Sequence, residues 1–193
     1  FGFKQWRSNQ KEAIDAAIAG RDSVVLMPTG GGKSLCYQIP GLVRDGVGLV
    51  ISPLKALMAD QTRALEEVEI AASPLNSSQT YKEQQSTIDR LDKGRLKFLY
   101  IAPERLVQAD TQRILQRTRL SIIAIDEAHC VSQWGHDFRP NYLELSQLAE
   151  LFPGVPRMAV TATATPETRS DIAKQLNLNS IIKPCQINIF CKW

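Results

Sequence analysis

Two blocks of the sequence hold residues able to act on a polyphosphate: Met27-Pro28-Thr29-Gly30-Gly31-Gly32-Lys33-Ser34 and, further along, Asp126-Glu127-Ala128-His129. Gly30, Gly31 and Gly32 carry no Cβ, so after Thr29 the backbone can turn tightly and aim successive N–H groups at phosphate oxygens. In such a cradle Lys33 reaches the β and γ phosphates, and the Ser34 hydroxyl ligates Mg2+. The strict phosphate-loop pattern asks for a glycine where this chain has Met27, but the chemistry does not depend on it. Asp126 is placed to hold the same Mg2+ through water, and Glu127 to orient or deprotonate an attacking water. Alone, the first block could be a glycine-rich turn that binds nothing and the second a solvated acidic turn. Together they predict hydrolysis of a nucleoside triphosphate, with Lys33, Asp126, Glu127 and His129 as the catalytic set.

These side chains need a frame. Val24-Val25-Leu26 precedes the first block and Ile122-Ile123-Ala124-Ile125 the second, which is where nucleotide sites lie in a parallel α/β sheet. Further β-rich runs fall at 47–52, 97–101 and 157–161, beside those at 23–27 and 121–125, with a weaker one at 71–75. Amphipathic stretches at helical period lie between them, for example Leu54, Leu57, Met58, Gln61 and Leu65. Strand and helix in alternation predict a mostly parallel sheet with helices on both faces. Pro40 falls within the helix expected after Ser34 and should bend it without ending it. No repeat is visible, and the one loop long enough to suggest a function follows the acidic box, from Cys130 to Pro140. Its Trp134, His136, Phe138 and Arg139 combine flat π faces with a cation, chemistry that stacks on bases and grips a strand. The plainer alternative for Trp134 is a ring that pins the loop to the domain.

With 193 residues, the chain can bury one substantial core. A net charge of +3 announces no global affinity for nucleic acid, so any such surface must be local. There is no apolar run near membrane-spanning length and no charged-then-apolar leader, so the expectation is a soluble, intracellular protein without a membrane partner. Cys36, Cys130, Cys185 and Cys191 make no paired C-x-x-C spacing, so reduced thiols and no zinc are expected.

The blocks also carry a family resemblance. Phe1-Gly2-Phe3 with Arg7 and Gln10, Gly32-Lys33-Ser34-Leu35-Cys36-Tyr37-Gln38, Ser52-Pro53-Leu54 through Asp60-Gln61, and Tyr100-Ile101-Ala102-Pro103-Glu104-Arg105-Leu106 stand in one order. They are followed by the acidic box, Trp134-Gly135-His136-Asp137-Phe138-Arg139-Pro140 and Thr161-Ala162-Thr163-Ala164. In this the chain resembles the first RecA-like, ATP-binding domain of a RecQ-type DNA helicase of superfamily 2. The aromatic loop is the most discriminating block.

The resemblance implies a RecA-like P-loop NTPase domain over residues 1–182, with residues 183–193 a tail outside the family pattern. It implies ATP and Mg2+ as ligands, single-stranded DNA or a duplex junction as partner, and a second RecA-like domain supplying an arginine finger. It makes Gln10 the adenine reader, since an amide offers one donor and one acceptor to the base, with Phe3 and Arg7 against the ring. It places Ser52 near DNA phosphates, with Lys55 and Arg105 beside it, each of which reads more simply as a solvated surface charge, and gives Thr161 and Thr163 the coupling of hydrolysis to strand movement through hydrogen bonds toward the acidic box. It further implies 3′ to 5′ unwinding in repair or recombination. Two other readings stay open at this point: a nucleotide-dependent module that binds DNA or protein without unwinding, and an RNA-directed ATPase.

Overall fold

The computed structural model describes residues 6, 10–135 and 137–178. Phe3, Arg7, His136, Cys185, Cys191 and the tail lie outside the described residues. Chain order runs α1 (Gln10–Ile18), β1 (Ser23–Leu26), α2 (Lys33–Val43), β2 (Val47–Ile51), α3 (Lys55–Glu66), β3 (Ala72–Leu75), α4 (Tyr81–Asp92), β4 (Phe98–Ile101) and α5 (Pro103–Leu106). It continues through α6 (Ala109–Gln116), β5 (Leu120–Ile125), two 3-10 turns at Ala128–Val131 and Pro140–Gln147, α7 (Leu148–Leu151), β6 (Arg157–Thr161) and α8 (Pro166–Gln175).

The six strands form one sheet in the order β1-β6-β5-β2-β4-β3, and every neighbouring pair is parallel. All of the strand segments expected from the sequence are present, including the weak one, which forms the edge strand β3. They are legible because a parallel sheet is covered on both faces, so its strands read as continuous apolar runs. Successive residues feed opposite cores: Leu49, Ile51, Leu99, Ile101, Ile123 and Ile125 point to one, Val50, Phe98, Tyr100, Ile122 and Ala124 to the other. Each large aliphatic side chain buried this way contributes about 1.5–3 kcal/mol.

The helix after the phosphate loop runs through Pro40 to Val43. It does not end there because its next turn is still closed by Arg44 N–H donating to the Pro40 carbonyl, 2.9 Å away. Among the described residues no helix is long and apolar enough to cross a membrane.

Candidate functional site

The strand order brings the two chemical blocks together. β1 delivers the phosphate loop and β5 the acidic box, and only β6, which ends in Thr161, separates them. All three open at the carboxyl rim of the sheet. The loop turns on two left-handed residues, Gly30 at φ 72° and Gly32 at φ 87°, the latter preceding the first residue of α2. A Cβ on Gly32 would crowd Gln10 Nε2, and the left-handed backbone there strains any residue with a side chain.

Gln10 itself is 3% exposed, which excludes a wet-side position on α1. Its Nε2 donates to the carbonyls of Gly32, at 3.2 Å, and Gly31, at 3.4 Å. The side chain expected to read the base is thus also a clamp on the phosphate loop. Thr29 and Gly30 are exposed at the loop tip, and Lys33 and Ser34 open α2, half-buried. Ser34 Oγ accepts a hydrogen bond from Gln61 Nε2 on α3 at 2.8 Å, a contact the sequence did not announce.

Asp126 is 5% exposed. Burial and the neighbouring Glu127 carboxylate push its pKa up to about 6, while the Glu127 N–H, donating to Oδ1 at 3.0 Å, and the Lys33 ammonium pull it back. A buried carboxylate on which Lys33 acts, and the Ser34 hydroxyl that opens α2 after the phosphate loop, are hard-oxygen donors of the kind Mg2+ takes. Glu127 sits at φ 48°, a left-handed conformation that costs a non-glycine residue on the order of 1 kcal/mol. The turn that follows aims the Glu127 carboxylate at His129, with Oε2 3.3 Å from Nδ1.

His129 Nδ1 also lies 2.9 Å from Thr161 Oγ1. Thr161 Oγ1 lies 3.1 Å from the Thr163 carbonyl and can donate to it, and with the Glu127 carboxylate also facing Nδ1 the arrangement fits an imidazole that carries its proton there. His129 therefore joins the acidic box to the end of β6.

The aromatic loop is tied down at its base and free at its tip. Ser132 Oγ donates to Asp171 on α8 at 2.6 Å, Arg139 N–H to the Cys130 carbonyl at 2.9 Å, and the Arg139 guanidinium to Asp137 at 2.9 Å. Gly135 passes so close to this turn that a Cβ would lie 2.2 Å from the His129 carbonyl. Trp134, by contrast, is 78% exposed, so it does not pin the loop, and Phe138 is half-buried.

Ser52, expected at a phosphate, keeps its hydroxyl buried at 1% exposure and without a partner, and its N–H donates to the Ile101 carbonyl. In this arrangement, one residue past the end of the interior strand β2, its hydroxyl faces the packed interior. Arg105 is engaged with Gln108 at 2.6 Å, and Lys55 with Ser77 at 2.7 Å. Cys36 and Cys130 are buried free thiols. Among the described residues, one His/Cys/Asp group has ligand atoms within 4.8 Å of one another: His129, Cys130 and Asp137.

Solved structures share this architecture. The helicase MrfA bound to DNA and AMPPNP superposes with a TM-score of 0.74 at 19% identity, covering 94% of this chain and 27% of that one. The Pyrococcus furiosus Hef helicase domain gives 0.62 at 19%, covering 91% and 37%. At such identity the likeness establishes the RecA-like fold alone. In sequence the chain is 52% identical over 180 residues to the ATP-dependent DNA helicase RecQ of Pasteurella multocida, covering 93% of this chain and 28% of that protein. It is 46% identical to the RecQ-like DNA helicase BLM of Xenopus laevis, over 92% of this chain and 14% of that one. The chain thus spans less than a third of either relative. Residues 7–172, from the amino-terminal block through Thr161 and into α8, match one family along their whole length, and the chain belongs to the DEAD/DEAH box helicases.

Proposed function

We propose that this chain is the ATP-binding and hydrolysing lobe of a RecQ-type DNA helicase, a motor that moves 3′ to 5′ along one strand and serves repair or recombination. One observation carries it: the phosphate loop, the acidic box and Thr161 meet at the carboxyl ends of three adjacent strands. The roughly 50% identity to DNA helicases named RecQ supports the DNA assignment over an RNA-directed one.

In this reading the amides of Gly30 to Gly32 and the Lys33 ammonium hold the triphosphate, while Gln10 braces the loop and meets the adenine, with Phe3 and Arg7 against the ring. Ser34 and Asp126 hold Mg2+, which neutralises charge developing on the phosphoryl oxygens. Glu127 orients the attacking water and takes its proton. His129 and Thr161 sense the state of that carboxylate and, with Thr163, pass it along the rim. Trp134 supplies a stacking face for a base, together with His136, Phe138 and Arg139, and the phosphates run past the Ser52 turn, whose hydroxyl would have to rotate out of the core to reach them. A second RecA-like lobe is needed to close the site and supply an arginine finger, a contribution of about a thousandfold or more, so the chain alone turns over slowly.

The test is Mg2+-dependent binding of a fluorescent ATP analogue by the chain, followed by Lys33→Ala and by competition of single-stranded DNA against RNA. Loss of analogue binding in the variant and preference for DNA are expected. Equal binding by parent and variant would remove the nucleotide site, and preference for RNA would remove the DNA assignment.

A further inference from the structure

The glutamine that holds Ser34 sits at the centre of a polar cluster that the nucleotide chemistry does not use. Gln61 Oε1 is within hydrogen-bonding distance of Gln38 Nε2 at 3.2 Å, the Tyr100 hydroxyl at 3.3 Å and the Tyr37 hydroxyl at 3.4 Å, and Gln38 Nε2 also donates to the Tyr100 hydroxyl at 3.3 Å. Tyr37 and Tyr100 are each 1% exposed and Gln38 6%, so their polar atoms depend on one another, on Gln61 and, for Tyr37, on Ser34. Burial pushes both phenols upward in pKa, and the nearby Asp126 charge adds to the rise, so the cluster lies within the field of the metal-binding carboxylate.

The cluster joins three elements. Gln61 belongs to α3, which starts just after Ser52-Pro53-Leu54; Tyr100 belongs to β4, which runs into Ala102 and α5; Tyr37 and Gln38 belong to α2 behind the phosphate loop. The first two are the segments expected to lie along a DNA strand. A cleft of about 400 Å³ between α2 and α3, lined by Ser34, Gln38, Leu57 and Gln61, leaves α3 room to shift against the loop.

We propose that Gln61 is the positioning residue through which DNA contact at the ends of β2 and β4 sets the Mg2+-ligating hydroxyl of Ser34. The inference rests on the reading of this chain as an ATP-binding lobe. A serine hydroxyl has one proton and two lone pairs. When the Gln61 amide occupies one lone pair, the other is aimed at the metal and the proton at an acceptor opposite. When α3 moves Gln61 away, the hydroxyl rotates freely and the metal loses an aligned ligand. DNA lying along α3 and α5 selects one position of α3, and thereby the affinity for Mg2+.

The experiment measures the Mg2+ midpoint for binding of a fluorescent ATP analogue by the full chain, with and without a single-stranded oligonucleotide. The parent midpoint is expected to move when DNA is added. Gln61→Leu raises the midpoint in the absence of DNA by about tenfold or more, as loss of an outer partner of a metal ligand does, and abolishes the response to DNA. Tyr100→Phe, which keeps the Gln61–Ser34 bond and cuts the link to β4, retains the parent midpoint without DNA and weakens the response. Should Gln61→Leu fail to fold, Tyr100→Phe decides. A parent that ignores DNA, or variants that behave as the parent, overturns the inference and leaves the nucleotide site standing. A parent with no Mg2+-dependent binding at all overturns the lobe reading itself.

Discussion

Two aspartates, each almost fully buried, occupy opposite rims of the same sheet. Asp22 precedes β1 at the amino rim, 6% exposed, and Asp126 follows β5 at the carboxyl rim, 5% exposed. Asp22 has a resident partner: the Arg157 guanidinium binds its Oδ2, and the Arg157 N–H donates to Oδ1 at 2.8 Å. The same guanidinium caps the end of α8 through the carbonyls of Leu176 and Asn177, at 2.9 and 3.0 Å. Among the described residues Asp126 has no such cationic partner in contact, only the Glu127 N–H and the field of Lys33, and its pKa is raised to about 6. A buried charge with a built-in counterion is structural, whereas one held without it is open to a proton or to an added cation, the role proposed above for Mg2+ at Asp126. The two rims use the same residue type for opposite purposes.

That contrast can be broken at either end. Asp22→Ala strands a buried guanidinium, and loss of one partner of a buried pair costs about 3–5 kcal/mol, read as a drop in the urea midpoint. An unchanged midpoint would mean that Arg157 is satisfied by the α8 carbonyls alone.

Asp126→Asn should do the reverse. A carboxylate whose folded pKa stands above its unfolded value favours folding most below the ordinary carboxylate range and disfavours it as pH rises toward about 6. The amide removes that penalty, so at pH 7 the variant gains about 2–3 kcal/mol while Mg2+-dependent nucleotide binding is lost. In the parent, protons compete with the metal, so that binding weakens as pH falls through about 6. A variant less stable than the parent at pH 7, or a flat binding profile across that range, contradicts the assignment.

Trp134→Ala tests a third kind of site, exposed and uncharged. Stacking on a base is worth about 1–3 kcal/mol, so single-stranded DNA should bind correspondingly more weakly while analogue affinity holds. Equal DNA binding at several salt concentrations would leave the ring without a role on the strand. The smallest effect is expected at the exposed pair Arg119–Asp45, whose side chains are 77% and 80% exposed. Asp45→Ala should leave the thermal midpoint in place, because water and salt already screen that contact, and a clear loss would place weight on surface charge that the comparison denies.

The phosphate loop and the acidic box were legible because each is a local device: the residues proposed to do the chemistry are neighbours in sequence, and the strand that presents them announces itself as an apolar run. Trp134 was half legible, since its type suggested stacking or packing and only its exposure separates the two. Ser52 was legible only as a residue that follows a strand, because such a residue can face either the strand's surroundings or the core, and here its hydroxyl is enclosed.

What the sequence by itself determined is the set of parallel strands, the cradle and the carboxylates, because both-face burial and short motifs leave period and spacing that need no partner to be read. Only the tertiary structure decided that Gln10 clamps Gly31 and Gly32, that Gln61 holds Ser34, and that Asp22 finds Arg157 across 135 residues of chain. Those contacts depend on which strand lies beside which and where each helix crosses the sheet. That choice is made by the packing of the whole core, and no single stretch of sequence contains it.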